Sequence, residues 1–288
     1  MADNIKGKLH LIPSPLGEND PVEVIPGPTL ELLGHFQTFV VEEIRTARRY
    51  LSRAGLKGHI EALKFYELNE HTERKDIESY IKLFDNGNDV ALISEAGLPA
   101  VADPGAALVE LCHKHDIQVV PHVGPSSLML SLMASGLNGQ SFAFCGYLPA
   151  KSDERRSKLK SIEKLSASIH QTQIFIETPY RNDSMLTDIL NICNGHTRLT
   201  IAADITLPDA FIRTDTVSGW KSYLAKELKG EAKDSGNKSE TKESGNKGET
   251  KDSGNKGETK ESGNKGETKE SGNKGFIGKR PCVFCLLG

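Results

Sequence analysis

Cysteine, aromatic side chains and long apolar runs are all scarce in this sequence of 288 residues. The five cysteines are an odd and scattered set, which predicts free thiols in a reducing compartment and no disulfide framework. No stretch approaches the roughly 18 apolar residues of a membrane-spanning helix, and the N-terminal residues lack the apolar segment of a secretory signal. We therefore predict a cytoplasmic protein that has no membrane partner.

Common nucleotide-binding fingerprints are absent as well. The chain contains no G-x-G, hence no G-x-G-x-x-G, and no G-x-x-x-x-G-K-[ST] phosphate loop. Cys282 and Cys285 form one C-x-x-C inside an apolar run that is typical of a strand, where residues three apart face opposite ways. With no second pair to complete a site, we expect buried strand cysteines and no metal.

A nine-residue repeat rich in Gly, Asn, Ser, Lys and Glu fills residues 233–275. It offers no apolar residue to bury, so we predict a disordered insert at residues 230–275. Its lysines and acids balance, which leaves the formal charge of −3 to the rest of the chain. Proteins that hold nucleic acid through many phosphates are usually basic; here the cations concentrate in two stretches, residues 45–57 and 151–164.

Strand and helix patterns alternate along the chain, which predicts an α/β fold with mostly parallel sheets. The pattern restarts after Pro149. We therefore predict an N-terminal α/β domain over residues 1–149 and a C-terminal α/β domain over 150–288, each a mixed, mostly parallel sheet flanked by helices. Three loops concentrate Gly, Pro and small polar residues, at 13–17, 94–105 and 123–127. Such loops let a ligand approach the backbone closely at the strand ends.

Five segments in series resemble the motifs of the tetrapyrrole (corrin/porphyrin) methylase superfamily. They are residues 11–17 (LIPSPLG), 93–105 (ISEAGLPAVADPG), 123–127 (VGPSS), 144–149 (FCGYLP) and 175–181 (FIETPYR). The long second motif is the most specific. The motifs are most similar to the bacterial branch that methylates a ribose 2′-hydroxyl of small-subunit ribosomal RNA.

The resemblance implies a two-domain tetrapyrrole-methylase fold, a homodimer, and S-adenosylmethionine as cofactor. By residue-by-residue analogy the cofactor would be lined by Pro15, Leu98, Val101, Ala102, Ser126, Ser127, Ile176 and Ala202. For Ser126 and Ser127, capping of a helix is an equally good interpretation. Methyl transfer is an in-line displacement, which asks the protein mainly for positioning.

A ribose hydroxyl or carbon acid also needs a general base, and the candidates are Glu42, Glu43 and Glu67. Residues 42–45 (EEIR) resemble the branch's Glu-Asp-Thr-Arg, and residues 66–69 (YELN) its His-Glu-His-Asn, so Arg45 and Asn69 become candidate substrate-binding residues. Salt-bridged structural acids are the alternative interpretation.

The resemblance weakens where substrate would bind. Both histidines of the His-Glu-His-Asn pattern are replaced, by Tyr66 and Leu68, and residues 204–209 (DITLPD) lack the branch's Lys and its His-Glu-Glu. Three functions stay open at this point. They are 2′-O-methylation of small-subunit rRNA or a related RNA, C-methylation of a tetrapyrrole, and a catalytically idle cofactor-binding protein.

Overall fold

A computed structural model describes residues 5–236 and 275–288. Five parallel strands form the first sheet in the order β3-β2-β4-β1-β5. They are β1 Leu9–Leu11, β2 Thr38–Val41, β3 Lys64–Glu67, β4 Val90–Ile93 and β5 Val119–Pro121. Every residue of β2 and β4 is buried, as expected for strands of a parallel sheet that is covered on both faces.

Helices cover both faces of this sheet. The bounds are α1 Pro21–Val24, α2 Gly27–Leu32, α3 Ile44–Leu51, α4 Arg74–Ser79 and α5 Gly105–Lys114. Phe39 and Val41 join the core cluster under α3, whereas Val40 faces the cluster under α5. The alternation of side chains along β2 thus supplies two cores from one strand.

The second sheet is mixed, in the order β6-β7-β10-β8-β9. Its strands are β6 Phe142–Tyr147, β7 Thr172–Glu177, β8 Arg198–Ala203, β9 Phe211–Thr216 and β10 Cys282–Leu287. Only β6 and β7 pair in parallel, and the other three ladders are antiparallel. The α/β class is confirmed, although this sheet has fewer parallel pairs than the alternation of strands and helices predicts.

Strand β10 lies at the centre of the second sheet although it follows the repeat in sequence. Cys282 belongs to the core cluster on one face and Cys285 to the cluster on the other. Burial raises the pKa of both thiols to about 12, so they are inert apolar side chains. No group of three or more His, Cys, Asp or Glu in residues 5–236 and 275–288 could hold a metal ion.

The chain passes from the first sheet to the second between β5 and β6. Helix α6 (Ser127–Ser135) already packs on the second sheet, through Leu128 and Leu132. The other helices of this half are α7 Ser152–Ile169, α8 Asn182–Ile192 and α9 Val217–Gly236. The domain boundary after residue 149 stays a prediction. The backbone of α9 runs into the predicted insert as far as Gly236, and residues 237–274 lie outside the described part of the chain.

Asp188 on α8 joins two helices through arginines of α7. Its carboxylate accepts hydrogen bonds from Arg155 Nε at 2.7 Å and Arg156 Nε at 2.6 Å. Burial raises the pKa of Asp188, but the bonds from Arg156 and Arg155 outweigh it and the net shift is downward. Two cations of the basic stretch 151–164 are thus engaged in helix packing.

No helix in the described residues has both the length and the hydropathy needed to cross a bilayer.

Candidate active site

A cavity of about 550 Å³ lies between the two sheets. The loops after β1, β4 and β5 line it from the first sheet. The ends of β7 and β8 and the start of β10 line it from the second. Ligands of parallel sheets bind beyond the carboxyl ends of the strands, and small-molecule sites typically enclose roughly 300–1,000 Å³. All three loops singled out in the sequence contribute to this cavity.

The first and second loops are joined through their backbones. The Ser14 N–H donates to the Gly97 carbonyl at 2.9 Å, and the Gly97 N–H donates to the Ser14 carbonyl at 3.1 Å. Gly97 has a φ of 81°, and a Cβ on it would lie 3.0 Å from Leu16. A Cβ on Gly124, in the third loop, would overlap the ring of Pro13. These glycines allow the loops to pack on one another around the cavity.

Asp103 holds the second loop in a strained conformation. Its carboxylate accepts hydrogen bonds from the N–H groups of Ala100 at 2.9 Å and Gly105 at 2.7 Å. Ala100 and Ala102 have φ values of 64° and 62°, in the region that disfavours residues with a Cβ. Helix α5 begins at Gly105, so the Asp103 carboxylate also accepts the first N–H of that helix.

Seven of the eight predicted cofactor residues line the cavity: Leu98, Val101, Ala102, Ser126, Ser127, Ile176 and Ala202. Pro15 is buried beside the cavity and is not among the residues lining it. The Ser126 hydroxyl accepts from the Met129 N–H at 3.4 Å, so it caps α6 as well as facing the cleft. The contact of each residue with the cofactor stays a prediction.

The wall of the cavity is acidic. Six carboxylates line it and no Lys, Arg or His does so among the described residues: Glu18, Glu42, Glu95, Asp103, Glu177 and Asp204. Burial raises the pKa of Glu42, Glu95 and Asp103. The charges of Asp103 and Glu70 raise the pKa of Glu42 further, while a hydrogen bond of 3.1 Å from the Glu95 N–H opposes the shift.

The three candidate bases lie in different environments. Glu42 lines the cavity just beyond β2. Glu43 instead caps α3, where its carboxylate accepts from the N–H groups of Arg45 at 2.8 Å and Thr46 at 2.6 Å. Glu67 ends the edge strand β3 with its side chain exposed, and it is not among the lining residues. Only Glu42 is placed to face a bound ligand.

Arg45 and Asn69 lie outside the cavity lining. Arg45 is exposed on the first turn of α3. The Asn69 side chain accepts from the His71 N–H at 2.9 Å and so stabilises the turn after β3. The roles of both in substrate binding stay predictions.

The segment that departs from the family pattern reaches the cavity. Asp204, Ile205 and Leu207 line it, and Leu207 packs against Gly17 of the first loop. Asn19 donates to the Thr206 carbonyl at 2.6 Å and ties this segment to the first half of the chain. The sequence shows only that this segment departs from the family pattern. Its place in the cavity wall could not be predicted, because it depends on how the two sheets face each other.

Comparison with known proteins assigns the family. The sequence profile of the Tetrapyrrole (Corrin/Porphyrin) Methylases matches residues 40–219. The chain belongs to this family. As a member of it, the protein is a methyltransferase that uses S-adenosylmethionine.

Two curated relatives of this tetrapyrrole methylase carry the name ribosomal RNA small subunit methyltransferase I. The protein of Vibrio cholerae is 33% identical over 198 residues, which are 69% of this chain and 65% of the relative. The protein of Escherichia coli O157:H7 is 32% identical over 205 residues, 71% of this chain and 68% of the relative. The alignment thus spans about two thirds of each relative's length.

Solved structures share the fold at low sequence identity. The methyltransferase CobJ superposes with a TM-score of 0.51 at 15% identity, over 74% of this chain and 87% of that protein. A conserved hypothetical protein of Aeropyrum pernix K1 gives 0.53 at 12% identity, over 74% and 78%. At these identities the likeness concerns the fold alone.

The lining residues of this tetrapyrrole methylase suit its cofactor. S-adenosylmethionine carries a sulfonium and an ammonium against one carboxylate, so its net positive charge is favoured by Glu42, Glu95 and Asp103, the lining carboxylates that form no ion pair among the described residues. Ile176, Ala202 and Val283 give the second-sheet wall an apolar surface, as is typical of small-molecule sites.

Adding one methyl group at Gly124 tests the packing of the loops. We expect Gly124→Ala to lower the free energy of unfolding by about 1–3 kcal/mol, because its Cβ would overlap Pro13. Cofactor affinity should fall as the first and third loops separate. Urea denaturation and calorimetry measure the two effects. Gly139→Ala is the matched control, since nothing lies within 4 Å of its Cβ position. Equal stability and equal cofactor affinity of the two variants would show that the close packing of Gly124 on Pro13 is not required.

Proposed function

We propose that this methyltransferase transfers the methyl group of S-adenosylmethionine to a ribose 2′-hydroxyl of small-subunit ribosomal RNA, or of a related RNA. The observation that carries the proposal is the pair of relatives named as small-subunit rRNA methyltransferases, aligned over about 70% of this chain. Glu42 supports it, because a hydroxyl acceptor needs a base in the cleft.

In the proposed mechanism Glu42 is the general base. When bound, the cofactor supplies an electrophilic methyl group on a sulfonium. Glu42 accepts the hydroxyl proton as the ribose oxygen forms its bond to the methyl carbon and the carbon–sulfur bond breaks. Glu42 would be left protonated and the ribose would carry a methyl ether, and the demethylated cofactor would keep the bonding pair as a neutral thioether. Asp103 positions the loop that holds both partners in line.

The acidic wall also bears on the alternative acceptors. Porphyrin and corrin precursors carry several carboxylates, and like charge would oppose their binding at a cleft in which Glu42, Glu95 and Asp103 form no ion pair among the described residues. An RNA can present one ribose to the cleft while its phosphates remain outside. Tetrapyrrole C-methylation therefore ranks behind RNA methylation.

The rate should depend on pH through Glu42. A base must be deprotonated to act, and burial raises the pKa of Glu42 above the ordinary glutamate value. We expect kcat/KM to fall tenfold per pH unit below that raised pKa, so that the acid limb lies above the usual glutamate range. The limb should be missing from Glu42→Gln. A wild-type limb at or below the ordinary value would contradict Glu42 as the base.

We also propose that the enzyme is cytoplasmic and acts as a homodimer. The face of the second sheet that carries α6 exposes large apolar side chains: Met129, Met133, Phe142, Phe144 and Ile212. Several large apolar side chains exposed on one face are typical of homodimer interfaces.

Sedimentation velocity tests the dimer. Met133 is 77% exposed. A charged side chain at this position would lose its hydration on dimer formation, which costs free energy when the charge has no partner. We expect Met133→Glu to be monomeric at concentrations where wild type is dimeric. Val22→Glu, at an exposed apolar site of α1, is the control and should remain dimeric. A monomeric wild type would overturn the proposal.

The function is tested with methyl-labelled cofactor and purified small subunits that lack the modification. Transfer of label to the RNA supports the proposal. Label transferred only to a tetrapyrrole substrate would assign the alternative, and cofactor binding without transfer to either acceptor would assign the idle protein.

A further inference from the structure

Two segments, each with a proline and at least one cationic residue, form the rim of the cleft on the side of the second sheet. Pro179, Tyr180 and Arg181 follow β7, and Lys279, Arg280 and Pro281 precede β10. Pro179 and Pro281 line the cavity itself. The aromatic and cationic residues therefore lie beside its opening.

The rim is held together by side chains of α8. The Asp183 carboxylate accepts from the N–H groups of Ile277 at 3.0 Å and Gly278 at 3.1 Å. Asn182 is fully buried, and its amide donates to the Arg280 carbonyl at 2.7 Å. These bonds fix the segment before β10 against α8, the helix that begins directly after Arg181. The two segments of the rim are therefore held in a defined position.

Tyr180 and Lys279 are the two rim side chains that remain available. Tyr180 is 78% exposed, and Lys279 Nζ lies 4.9 Å from the centre of its ring. Arg181 is engaged by Glu177, and Arg280 by Asp204. Lys279 has no carboxylate partner in residues 5–236 and 275–288. An exposed aromatic ring with an unneutralised cation is the combination on which bases stack beside a phosphate.

The acidic cleft and the cationic rim differ in how well they suit the phosphates of an RNA acceptor. Three of the six cleft carboxylates, Glu42, Glu95 and Asp103, form no ion pair among the described residues and would repel phosphate, so the cleft suits the reacting ribose better than the phosphates. We propose that Tyr180 stacks on an unpaired base next to the methylated nucleotide and that Lys279 binds the adjoining phosphate. This inference rests on the proposed RNA acceptor and restricts it to single-stranded RNA, whose bases are free to stack.

Fluorescence anisotropy with the full chain tests the inference, using a labelled unpaired RNA 12-mer and the duplex of the same sequence. We expect Tyr180→Ala to weaken binding of the single strand about 5- to 100-fold and to leave the duplex nearly unchanged. Tyr180→Phe keeps the ring and should bind like wild type. Lys279→Ala should make the slope of the logarithm of affinity against the logarithm of salt concentration shallower, by about the amount that one phosphate contact contributes.

Calorimetry with S-adenosylhomocysteine separates this inference from the proposed function. Neither Tyr180 nor Lys279 lines the cavity, so both alanine variants should keep wild-type affinity. If wild type methylates RNA and Tyr180→Ala binds the single strand equally well, the rim inference is wrong and the function stands. Equal losses for single strand and duplex would also overturn it. Unchanged RNA affinity with lost binding to whole small subunits would assign the rim to a ribosomal protein instead.

Discussion

Glu42→Gln is expected to lower kcat about 100- to 10,000-fold, the usual contribution of a general base. The amide has nearly the shape of the carboxylate, and its oxygen can still accept from the Glu95 N–H. The change therefore removes the proton acceptor while the loop is retained. Affinity for S-adenosylhomocysteine should stay within a few-fold of wild type. Single-turnover rates with methyl-labelled cofactor and undermodified small subunits measure the effect.

The neighbouring acid supplies the matched control. Glu43 caps α3 through two backbone N–H groups, so Glu43→Gln should cost roughly 0.5–2 kcal/mol of stability and little of the rate. If Glu43→Gln loses the activity and Glu42→Gln keeps it, the assignment of the base is wrong. If neither variant is slower, catalysis proceeds by positioning alone.

Asp188→Ala is expected to lower the free energy of unfolding by about 3–5 kcal/mol, because it leaves a buried cation without its partner. The Arg155 side chain is 5% exposed and that of Asp188 3%, so water cannot replace the lost carboxylate. Since the pKa of Asp188 is lowered in the folded state, this stabilisation is present at neutral pH. It is lost as the pH falls through that lowered pKa.

Denaturant titration of Asp188→Ala measures this cost. Asp153→Ala, an exposed acid in the first turn of α7, is the control and should cost less than about 1 kcal/mol. A loss of similar size in both variants would mean that the buried pair contributes no more than a surface charge.

Local signals predict the parts of the site that are continuous in sequence. The loops at 94–105 and 123–127 combine glycine, proline and capping residues, and both line the cavity. Ser126 and Glu43 both cap helices in the structure. A polar residue at the start of a helix can cap that helix as well as contact a ligand, and the sequence alone does not separate the two roles.

Other features could not be read from local patterns. Ile77, Tyr80, Ile81 and Phe84 have the spacing of a continuous amphipathic helix, but the chain forms α4 and then 3₁₀ turns from Tyr80 to Gly87. Periodicity does not separate these two helical forms over so few residues. Strand β3 at the sheet edge, with polar ends and half-exposed aromatics, gave no alternation strong enough to predict it.

The acidic wall of the cleft is the clearest case of a feature set by topology. Glu18 and Glu95 meet because they follow the neighbouring parallel strands β1 and β4, and Asp204, which follows β8, joins them only because the two sheets face each other across the cavity. Each residue taken alone resembles an ordinary loop acid. The family resemblance placed the cofactor loops in the same cavity but carried no information about Asp204, which lies where the pattern fails.

The position of the transferred methyl group tests the central claim most directly. A 2′-O-methyl group protects the following phosphodiester from alkali, so small-subunit RNA labelled by this enzyme should release its label in an alkali-stable dinucleotide. Glu42→Gln, with cofactor affinity retained, should leave that dinucleotide unlabelled. Label recovered in single nucleotides, on a base, or only in a tetrapyrrole would contradict the assignment of a ribose 2′-hydroxyl as the acceptor.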